Sequence, residues 1–329
     1  MATTVTYRRL QISSSITYEY YVAKTSNSNL PNLLFLHGFP STATDFRQQL
    51  EHFASLGYGV IAPDLLGYGG TSKPHDPQEY TWRKMSTHIK AILDAENFHT
   101  VVGVGHDLGS WFLSRLHHFY PSQFGGLVFL DVGYSAPGEK FDVEMINRMT
   151  KEMTGEERFR YWDFFTDDEG VALMDRNVES IISLMHASPE VMAANLGPPG
   201  KARDWVSSAR IAPAHSFADG DVQKNEYFLA KVASFKTGGW TGPTNWYKAL
   251  RNNLSFEDEK DMDKGLEVPV LLIGCGRDEM TVASFQDQMT RPWAKAGYYF
   301  EVLETGHWAM HEDGEKTNRL LQRFLEKLK

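Results

Sequence analysis

The stretch VVGVGHDLGS, residues 101–110, carries the side chain best placed to do chemistry. An apolar run ends in small residues and gives way to the helical pattern WFLSRLHHFY, so Asp107 lies at a strand-to-helix turn between Gly105 and Gly109. A nucleophile elbow needs small residues two positions before and two positions after its nucleophile. A carboxylate at a helix N-terminus is stabilised as the anion and needs no base at pH 7. The spacing therefore predicts a carboxylate nucleophile that displaces at an sp³ carbon and forms an ester that water can cleave.

The same glycines leave two other interpretations open. A dinucleotide-binding G-x-G-x-x-G loop follows the first strand of its unit, but Leu108 stands at the third glycine position and several strand-like segments come earlier. In such a loop Asp107 would also direct a carboxylate at a pyrophosphate. A tight turn without chemistry is the second alternative. The elbow fits these residues better than either of them.

Partners for Asp107 follow later in the chain, in the order nucleophile, acid, histidine. His307 lies just after the strand-like YYFEVLE, where a loop can hold its imidazole above the nucleophile, although twelve histidines also allow a surface role. Asp278 follows the buried strand VPVLLIGCG, at the carboxyl end where α/β enzymes place their chemistry. Asp131 ends the preceding strand in GLVFLDVG and is the alternative acid. The predicted triad is Asp107, Asp278 and His307, with Asp131 left open.

The motif HGFP at residues 37–40 closes another strand of the predicted sheet. A backbone N–H at such a strand end can stabilise an oxyanion. Phe39 is predicted to supply one N–H and Leu108, which follows the nucleophile, the second. Together they would form an oxyanion hole around the carboxyl group of Asp107.

A metal site is the weaker interpretation of the histidines near the C-terminus. His307 and His311 are four residues apart and Glu312 follows, which resembles half a zinc site. The H-E-x-x-H motif requires Glu directly after the first histidine, and Trp308 occupies that position. We therefore expect no metal and no cofactor.

The elements that must position these residues alternate between strands and helices. VTYRRLQIS and ITYEYYVAK read as a β-hairpin, because they are rich in β-branched and aromatic residues. NLLFLHG and GVIAPDLLG are continuous apolar runs, which is typical of strands buried on both faces of a parallel sheet. A helical pattern lies between them and ends at Gly57, a C-cap candidate. The predicted fold class is α/β, with a mostly parallel, doubly wound sheet.

The pattern changes between about residues 134 and 253. Strand signals are missing there, aromatic residues and Met recur at helical spacing, and GPPG and TGGWTGP break the helices. We interpret residues 134–253 as a helical cap inserted between the sixth and seventh strands. Residues 1–133 and 254–329 would then form the core domain.

Composition and charge exclude several classes of protein. The 329 residues are 42% hydrophobic and 23% charged, as in ordinary globular enzymes. A net charge of −9 argues against nucleic acid or an anionic membrane as the main partner. The single cysteine, Cys275, excludes an internal disulfide framework and suits a reducing compartment. Because no secretory h-region and no apolar run of about 20 residues stands out, we expect a soluble cytoplasmic protein, monomeric or homodimeric.

Taken together, the motifs resemble a known family across nearly the whole chain. HGFP, DLLGYGGTSKP, GHDLGS, GRDEM and GHW are similar to those of the epoxide hydrolases of the α/β-hydrolase fold. The resemblance extends to GPTNWYKALRNN, which corresponds to a cap helix carrying an epoxide-opening tyrosine, here Tyr247. More loosely, FRYWDFFTDDEG resembles the segment of a second tyrosine, here Tyr161. The resemblance to epoxide hydrolases implies that the phenols of Tyr161 and Tyr247, both neutral, hydrogen-bond the epoxide oxygen while the ring opens.

The chain departs from this family and from its rivals at identifiable positions. Epoxide hydrolases commonly carry Trp after the nucleophile, where Leu108 stands; the halide-binding Trp of haloalkane dehalogenases is missing for the same reason. Fluoroacetate dehalogenases resemble the chain through Asp131, but Leu108 and Trp111 occupy the places of their arginines. A haloalkane or haloacid dehalogenase therefore remains an alternative. A ligand-binding protein on a non-catalytic hydrolase scaffold is the other.

The substrate expected from these residues is a neutral, fairly hydrophobic epoxide, with water as the second reactant. Aromatic and Met side chains of the predicted cap suggest an apolar, adaptable pocket, although most of them pack the cap itself. Those singled out are Trp162, Phe164, Phe165, Met185, Trp205, Phe217 and Trp240. The residues predicted to line the pocket are His37, Trp162, Phe164 and Trp308.

Overall fold

The computed structural model describes residues 5–213, 216 and 222–328. Its eight strands are β1 (Thr6–Gln11), β2 (Thr17–Ala23), β3 (Asn32–Leu36), β4 (Gly59–Pro63), β5 (Val101–His106), β6 (Phe124–Leu130), β7 (Val270–Cys275) and β8 (Tyr298–Leu303). They form one sheet in the order β1-β2-β4-β3-β5-β6-β7-β8. β2 pairs antiparallel with β1 and β4, and every pair from β4 to β8 is parallel. The predicted α/β class with a mostly parallel sheet is confirmed.

The hydrophobic pattern of the strands explains their places in the sheet. β4, β5 and β7 are buried at every residue, as continuous apolar runs covered on both faces must be. β1 is exposed along most of its length and forms the edge of the sheet. It pairs with β2 from Thr6 opposite Val22 to Gln11 opposite Thr17, so the predicted hairpin is confirmed.

Helices cover both faces of the sheet. Those that connect or follow the strands are α1 (Arg47–Ser55), α2 (Trp82–Ala95) and α3 (Leu108–Phe119). α1 ends just before Gly57, whose φ of +90° suits a residue without Cβ. Short 3₁₀ turns lie at Ala43–Phe46, Pro77–Tyr80, Pro121–Gln123, Val222–Lys224 and Arg291–Trp293.

The described part of the chain between β6 and β7 contains helices and no strand. They are α4 (Val143–Thr154), α5 (Tyr161–Thr166), α6 (Asp168–Arg176), α7 (Val178–Met185), α8 (Pro189–Asn195), α9 (Lys201–Ser207), α10 (Glu226–Gly238), α11 (Thr241–Arg251) and α12 (Phe256–Glu259). After β7 come α13 (Ala283–Thr290), α14 (Ala309–Glu312) and α15 (Gly314–Lys327). No helix in residues 5–213, 216 and 222–328 is long and apolar enough to cross a membrane.

Helix α11 is locked against the loop that follows β4. Gly67 in this loop has φ +95°, and a Cβ built on it would lie 2.7 Å from the carbonyl carbon of Gly242. A Cβ on Gly242 would lie 2.8 Å from Cα of Gly67, so the two backbones approach as closely as only two glycines allow. One turn further along α11, the indole N–H of Trp246 donates to the carbonyl of Leu66 at 2.8 Å.

Candidate active site

Asp107 stands at a strained turn between β5 and α3. Its φ of +53° and ψ of −126° are unusual for a residue with a side chain. A Cβ on Gly105 would lie 2.6 Å from the carbonyl oxygen of Gly109, and one on Gly109 would lie 2.2 Å from that of Leu36. Neither position has room for a methyl group. The predicted strand–turn–helix is therefore present, and it presents the Asp107 side chain at the carboxyl end of the sheet.

Two backbone N–H groups converge on the Asp107 carboxylate. The N–H of Phe39 donates to Oδ1 at 2.8 Å, and the N–H of Leu108 also hydrogen-bonds the carboxylate. Burial raises the pKa of Asp107 above its usual range, and His307 and the two N–H groups offset only part of that effect. The two predicted oxyanion donors thus lie beside the predicted nucleophile. The same N–H groups can stabilise either its carboxylate or a tetrahedral oxyanion formed from it.

His307 faces Asp107 from the loop after β8. Its Nε2 is 4.0 Å from Oδ2 of Asp107, and its carbonyl oxygen is 2.9 Å from Nε2 of His106. On the other side of the ring, Nδ1 is 2.8 Å from Oδ2 of Asp278 and 3.0 Å from Oδ2 of Asp131. Burial lowers the pKa of His307, but the two neighbouring acids outweigh it and hold the pKa well above its usual value. Both candidate acids therefore contact the predicted base.

Two phenols stand across the cavity from this group. The rings of Tyr161, at the start of α5, and Tyr247, on α11, have centroids 6.2 Å apart. Tyr247 packs edge-on against Phe39, with ring centroids 4.9 Å apart, which keeps it above the nucleophile loop. Burial, above all, raises the pKa of both tyrosines, and the charge of Asp107 adds to the effect. Both phenols therefore stay protonated and can act as hydrogen-bond donors.

One cavity of about 360 Å³ is lined by the nucleophile and by the two phenols. Its lining includes Asp107, Leu108, Trp111, Tyr161, Trp162 and Tyr247. A volume of this size is within the range of small-molecule sites, which are mostly apolar with a few converging polar groups. The arrangement can therefore hold a small organic molecule with one reactive atom between a carboxylate and two phenols.

A model of the "alpha/beta hydrolase fold" family matches residues 31–314. The chain belongs to this family. It is 28% identical to "Epoxide hydrolase srdG" of Neurospora crassa, over 98% of this chain and 96% of that protein. It is 26% identical to "Epoxide hydrolase B" of Mycobacterium tuberculosis, over 90% and 91% of the two chains.

Solved structures of the alpha/beta hydrolase fold agree with the architecture. An epoxide hydrolase from an endophytic Streptomyces aligns with a TM-score of 0.81 and 22% identity, covering 98% of this chain and 96% of that one. Epoxide hydrolase A of Mycobacterium thermoresistibile aligns with a TM-score of 0.77 and 22% identity, covering 98% of both chains. At this identity the likeness concerns the fold.

Three residues predicted to line the pocket do not line this cavity. His37 is buried, and its Nε2 accepts a hydrogen bond from the N–H of Leu65 at 2.9 Å. Trp308 donates its indole N–H to the carbonyl of Met185 at 2.8 Å. Phe164 is buried, and the guanidinium of Arg203 lies over its ring. The motifs around His37 and Trp308 and the helical spacing around Phe164 did not fix the direction in which these side chains point.

Of the other aromatic and Met residues singled out in the sequence, Trp162 lines the cavity. Phe165, Met185, Trp205 and Trp240 belong to the packing of the helices, as expected for most of that set. Phe217 lies outside the described residues.

Four methionines in the outer wall of the cavity were not predicted from the sequence. Met145, Met149 and Met153 lie on α4, and Met289 lies on α13. These four side chains are 37% to 58% exposed, so the wall that they form is open to solvent. The spacing of four residues along α4 was a visible signal, because it places the three thioethers on one helical face.

The charged residue Arg115 also lines the cavity, two turns along α3 from the nucleophile. It is buried and forms an ion pair with Glu259, and it donates to the carbonyl of Ser135. Its charge is therefore matched by a carboxylate in the same wall. Because the charge of Arg115 is already paired and most of the lining is apolar, the cavity favours neutral ligands.

The residues that resemble half a zinc site in the sequence have other contacts in the structure. Glu312 accepts hydrogen bonds from the N–H groups of Gly306 and Trp308, whereas His311 faces Asp45. A different trio, His106, Asp131 and His307, offers buried ligand atoms within 4.8 Å of one another. Hydrogen bonds inside the candidate active site already engage ring nitrogens of both histidines in this trio.

Proposed function

We propose that the protein is an epoxide hydrolase, which converts a neutral, fairly hydrophobic epoxide to a vicinal diol through an ester of Asp107. The main support for this proposal is the Asp107 carboxylate, which the N–H groups of Phe39 and Leu108 hold in one cavity with Tyr161 and Tyr247. Relatives named as epoxide hydrolases, aligned over nearly the whole chain, support the same activity.

In the first step, the Asp107 carboxylate attacks one epoxide carbon and the carbon–oxygen bond of the ring breaks. Tyr161 and Tyr247 hydrogen-bond the ring oxygen and supply the proton that the departing alkoxide takes up. Their raised pKa values keep both phenols neutral until that moment. The product is a hydroxyalkyl ester of Asp107.

In the second step, water attacks the carbonyl carbon of the ester. In its neutral form, His307 takes a proton from the water at Nε2, and the N–H groups of Phe39 and Leu108 stabilise the oxyanion. The tetrahedral intermediate then breaks its bond to the alkoxide, which takes the proton held by His307 and leaves as the diol. The second proton of the water passes to the phenolate left by the first step, so that Tyr161 and Tyr247 are both neutral again. Asp107 returns to the carboxylate with one oxygen atom from water.

The wall of the cavity supports an apolar, neutral substrate. Trp111, Phe141 and Met149 extend it away from Asp107, and the nearest buried arginine is paired with Glu259. Thioethers and aromatic rings attract apolar groups and adapt to their shape. A small carboxylate in this cavity would meet Arg115 only with its charge already paired to Glu259.

A dehalogenase is the second candidate, and the contact of Asp131 with His307 is the observation that favours it. Fluoroacetate dehalogenases take their acid from the strand that Asp131 ends, as the sequence resemblance implied. Trp162 could donate to a halide from the cavity wall. Release of fluoride or chloride from haloacids or haloalkanes, without turnover of any epoxide, would favour this candidate.

The proposal also covers the domain organisation, the localisation and the oligomeric state of the protein. Residues 134–253 would act as a cap on a core of residues 1–133 and 254–329, with the cavity between them. A cytoplasmic protein, monomeric or homodimeric, suits the single buried cysteine, Cys275. Size-exclusion chromatography with light scattering measures the oligomeric state.

A single turnover in ¹⁸O-labelled water tests the covalent route. Enzyme in excess over epoxide should incorporate the label into Asp107 and leave the first diol unlabelled, because the diol oxygen then comes from the carboxylate. Label in the first diol would mean direct attack by water on the epoxide. Peptide mass spectrometry locates the label in the protein.

A further inference from the structure

Two carboxylates, not one, contact Nδ1 of His307. Asp278 Oδ2 lies 2.8 Å from this nitrogen and Asp131 Oδ2 lies 3.0 Å from it. The distance to Asp278 is that of a charge-assisted hydrogen bond, and Asp131 lies only slightly farther from the same nitrogen. Both acids are buried. The imidazole carries one hydrogen on Nδ1, so at any moment the two acids compete for it or share it.

The order of the strands explains why both acids arrive at one point. β6 and β7 are neighbours and parallel, with Leu130 opposite Ile273. Asp131 follows the end of β6, and Asp278 follows the end of β7. Carboxyl ends of adjacent parallel strands meet at the same edge of a sheet. The backbone of Asp131 turns there with φ +64°, a conformation that residues with a side chain rarely adopt.

Each acid is held in place by its own donors. Asp278 Oδ1 accepts from the backbone N–H of Met280 at 2.6 Å and from that of Thr281 at 3.2 Å. Asp131 Oδ2 accepts from the hydroxyl of Thr281 at 2.6 Å. Thr281 therefore contacts both acids, through its main chain on one side and its side chain on the other. Removal of one acid leaves the other with its donor and within reach of Nδ1.

The charges around the ring suggest different resting states for the two acids. Burial raises the pKa of Asp278, but its contacts with His307 and Met280 outweigh this and lower the pKa overall. Burial and then the charge of Asp278 raise the pKa of Asp131 to about 6. Asp278 is therefore the more readily ionised of the two acids. When Asp278 loses its charge, the pKa of Asp131 falls and Asp131 ionises more fully.

We propose that Asp131 and Asp278 form a paired positioning site for His307, in which either carboxylate alone can hold the Nδ1–H and orient Nε2 toward Asp107. The inference rests on the proposed function, since the hydrolysis of the Asp107 ester is the step that needs an oriented base. It predicts strong non-additivity between the two acids, because each single substitution leaves the second hydrogen bond to Nδ1 available.

Single-turnover kinetics of Asp131→Asn, Asp278→Asn and the double variant test this pairing. Each single variant should lose about tenfold or less in the rate of ester hydrolysis, whereas the double variant should lose about 10⁴-fold, as a triad without its acid does. Formation of the ester should change far less in all three. A loss in the double variant equal to the product of the single losses would overturn the pairing. So would a full loss from either single variant.

Thr281→Val provides a matched test of the Asp131 arm. It removes the hydroxyl donor of Asp131 and retains the backbone N–H that Asp278 uses. Its effect on ester hydrolysis should be several-fold larger in the Asp278→Asn background than in the wild-type background. Equal effects in the two backgrounds would mean that Asp131 does not substitute for Asp278.

A proton NMR measurement decides the inference without any turnover. The downfield signal of the His307 Nδ1 proton should persist in both single variants, since one carboxylate still accepts from it. Loss of that signal in either single variant would overturn the pairing, even if the double variant failed to fold. If the wild-type enzyme turned over no epoxide, the proposed activity would fall, and the NMR result would still decide whether the two acids share one ring nitrogen.

Discussion

Nε2 of His307 lies 4.0 Å from Oδ2 of Asp107, beyond the length of a hydrogen bond. The hydrogen bonds of Asp107 come from the backbone N–H groups of Phe39 and Leu108. The carboxylate can therefore attack a substrate without first breaking a bond to the histidine. The same gap places Nε2 where a water molecule could later attack the ester carbon. The two steps of the proposed reaction thus depend on different partners of one side chain.

His307→Gln should separate these two steps. The variant should form the ester and fail to hydrolyse it, with turnover reduced by about 10³-fold or more, because the general base is lost while the nucleophile remains. Intact-protein mass spectrometry should show one added substrate mass, and peptide mapping should locate it at Asp107. Asp107→Ala is the control and should form no adduct. Unchanged turnover in His307→Gln would mean that another group activates water.

The two acids beside His307 should have opposite effects on stability at neutral pH. Burial, together with Asp278, raises the pKa of Asp131 to about 6, against about 3.9 for an exposed Asp. The folded protein thus binds this proton more tightly than the unfolded chain does, so the contribution of Asp131 to stability is lost as pH rises from about 4 to 6. Asp131→Asn should raise the free energy of unfolding at pH 7 by about 1–3 kcal/mol and change it little near pH 4.

Asp278→Asn is the matched comparison, measured by urea denaturation over the same pH range. Burial raises the pKa of Asp278, but His307 and the N–H of Met280 lower it further than burial raises it. Its stabilising contribution is therefore present above the pKa of the unfolded chain and lost as pH falls. The substitution should lower the free energy of unfolding at pH 7. A gain from both variants, or a loss from both, would contradict the assignment of charges.

A buried ion pair between α10 and the core should matter far more than an exposed one on the same helix. Lys231 donates to Asp45 at 2.6 Å and to the carbonyl of Pro40 at 3.2 Å, and both charged side chains are almost fully buried. Lys231→Met leaves the Asp45 charge without this cation and should cost about 3–5 kcal/mol. Lys236→Met breaks an exposed pair with Glu179 and should cost less than about 1 kcal/mol. Thermal and urea unfolding compare the two; similar losses would refute the distinction.

The methionine row on α4 should select apolar substrates. Met149→Glu places a carboxylate in the cavity wall, and it should lower kcat/KM for apolar epoxides about tenfold, since apolar contact is replaced by a charge that must be desolvated. Lys151→Glu adds a carboxylate on the same helix outside the cavity lining and should change kcat/KM less than twofold. Met149→Leu should retain activity. Equal losses for the two acidic variants would show that net charge, and not the wall, controls the rate.

The local parts of the fold and site were predictable because neighbouring residues determine them. The glycines around Asp107 identify the elbow, since two backbone contacts leave no room for Cβ there. The apolar runs of β4, β5 and β7 identify buried strands in the same way. The epoxide-opening roles of Tyr161 and Tyr247 remain predictions, and the structure brings both rings to the same cavity as Asp107.

Other parts depend on distant contacts that no local pattern reports. Sequence could offer Asp131 and Asp278 only as rivals, because the pairing of β6 with β7 decides that both reach one ring nitrogen. The sequence predicted Phe164 and Trp308 as pocket residues, but Phe164 packs with Arg203, Trp308 hydrogen-bonds the carbonyl of Met185, and neither lines the cavity. The direction in which a buried side chain points is set by tertiary packing, and the pattern of a single sequence carries little information about it.

The paired glycines between α11 and the core bear on how such a protein could be re-engineered. Because Gly67 and Gly242 leave no space between the two backbones, the position of Tyr247 relative to the loop after β4 is fixed. A transplanted helical segment from a relative would keep this tyrosine in place only if it carried glycine at the position of Gly242 and met glycine at Gly67. Helix α4 contains no glycine between Val143 and Thr154, and its methionines face solvent. Directed diversification of the binding wall should therefore begin at α4 and leave α11 intact.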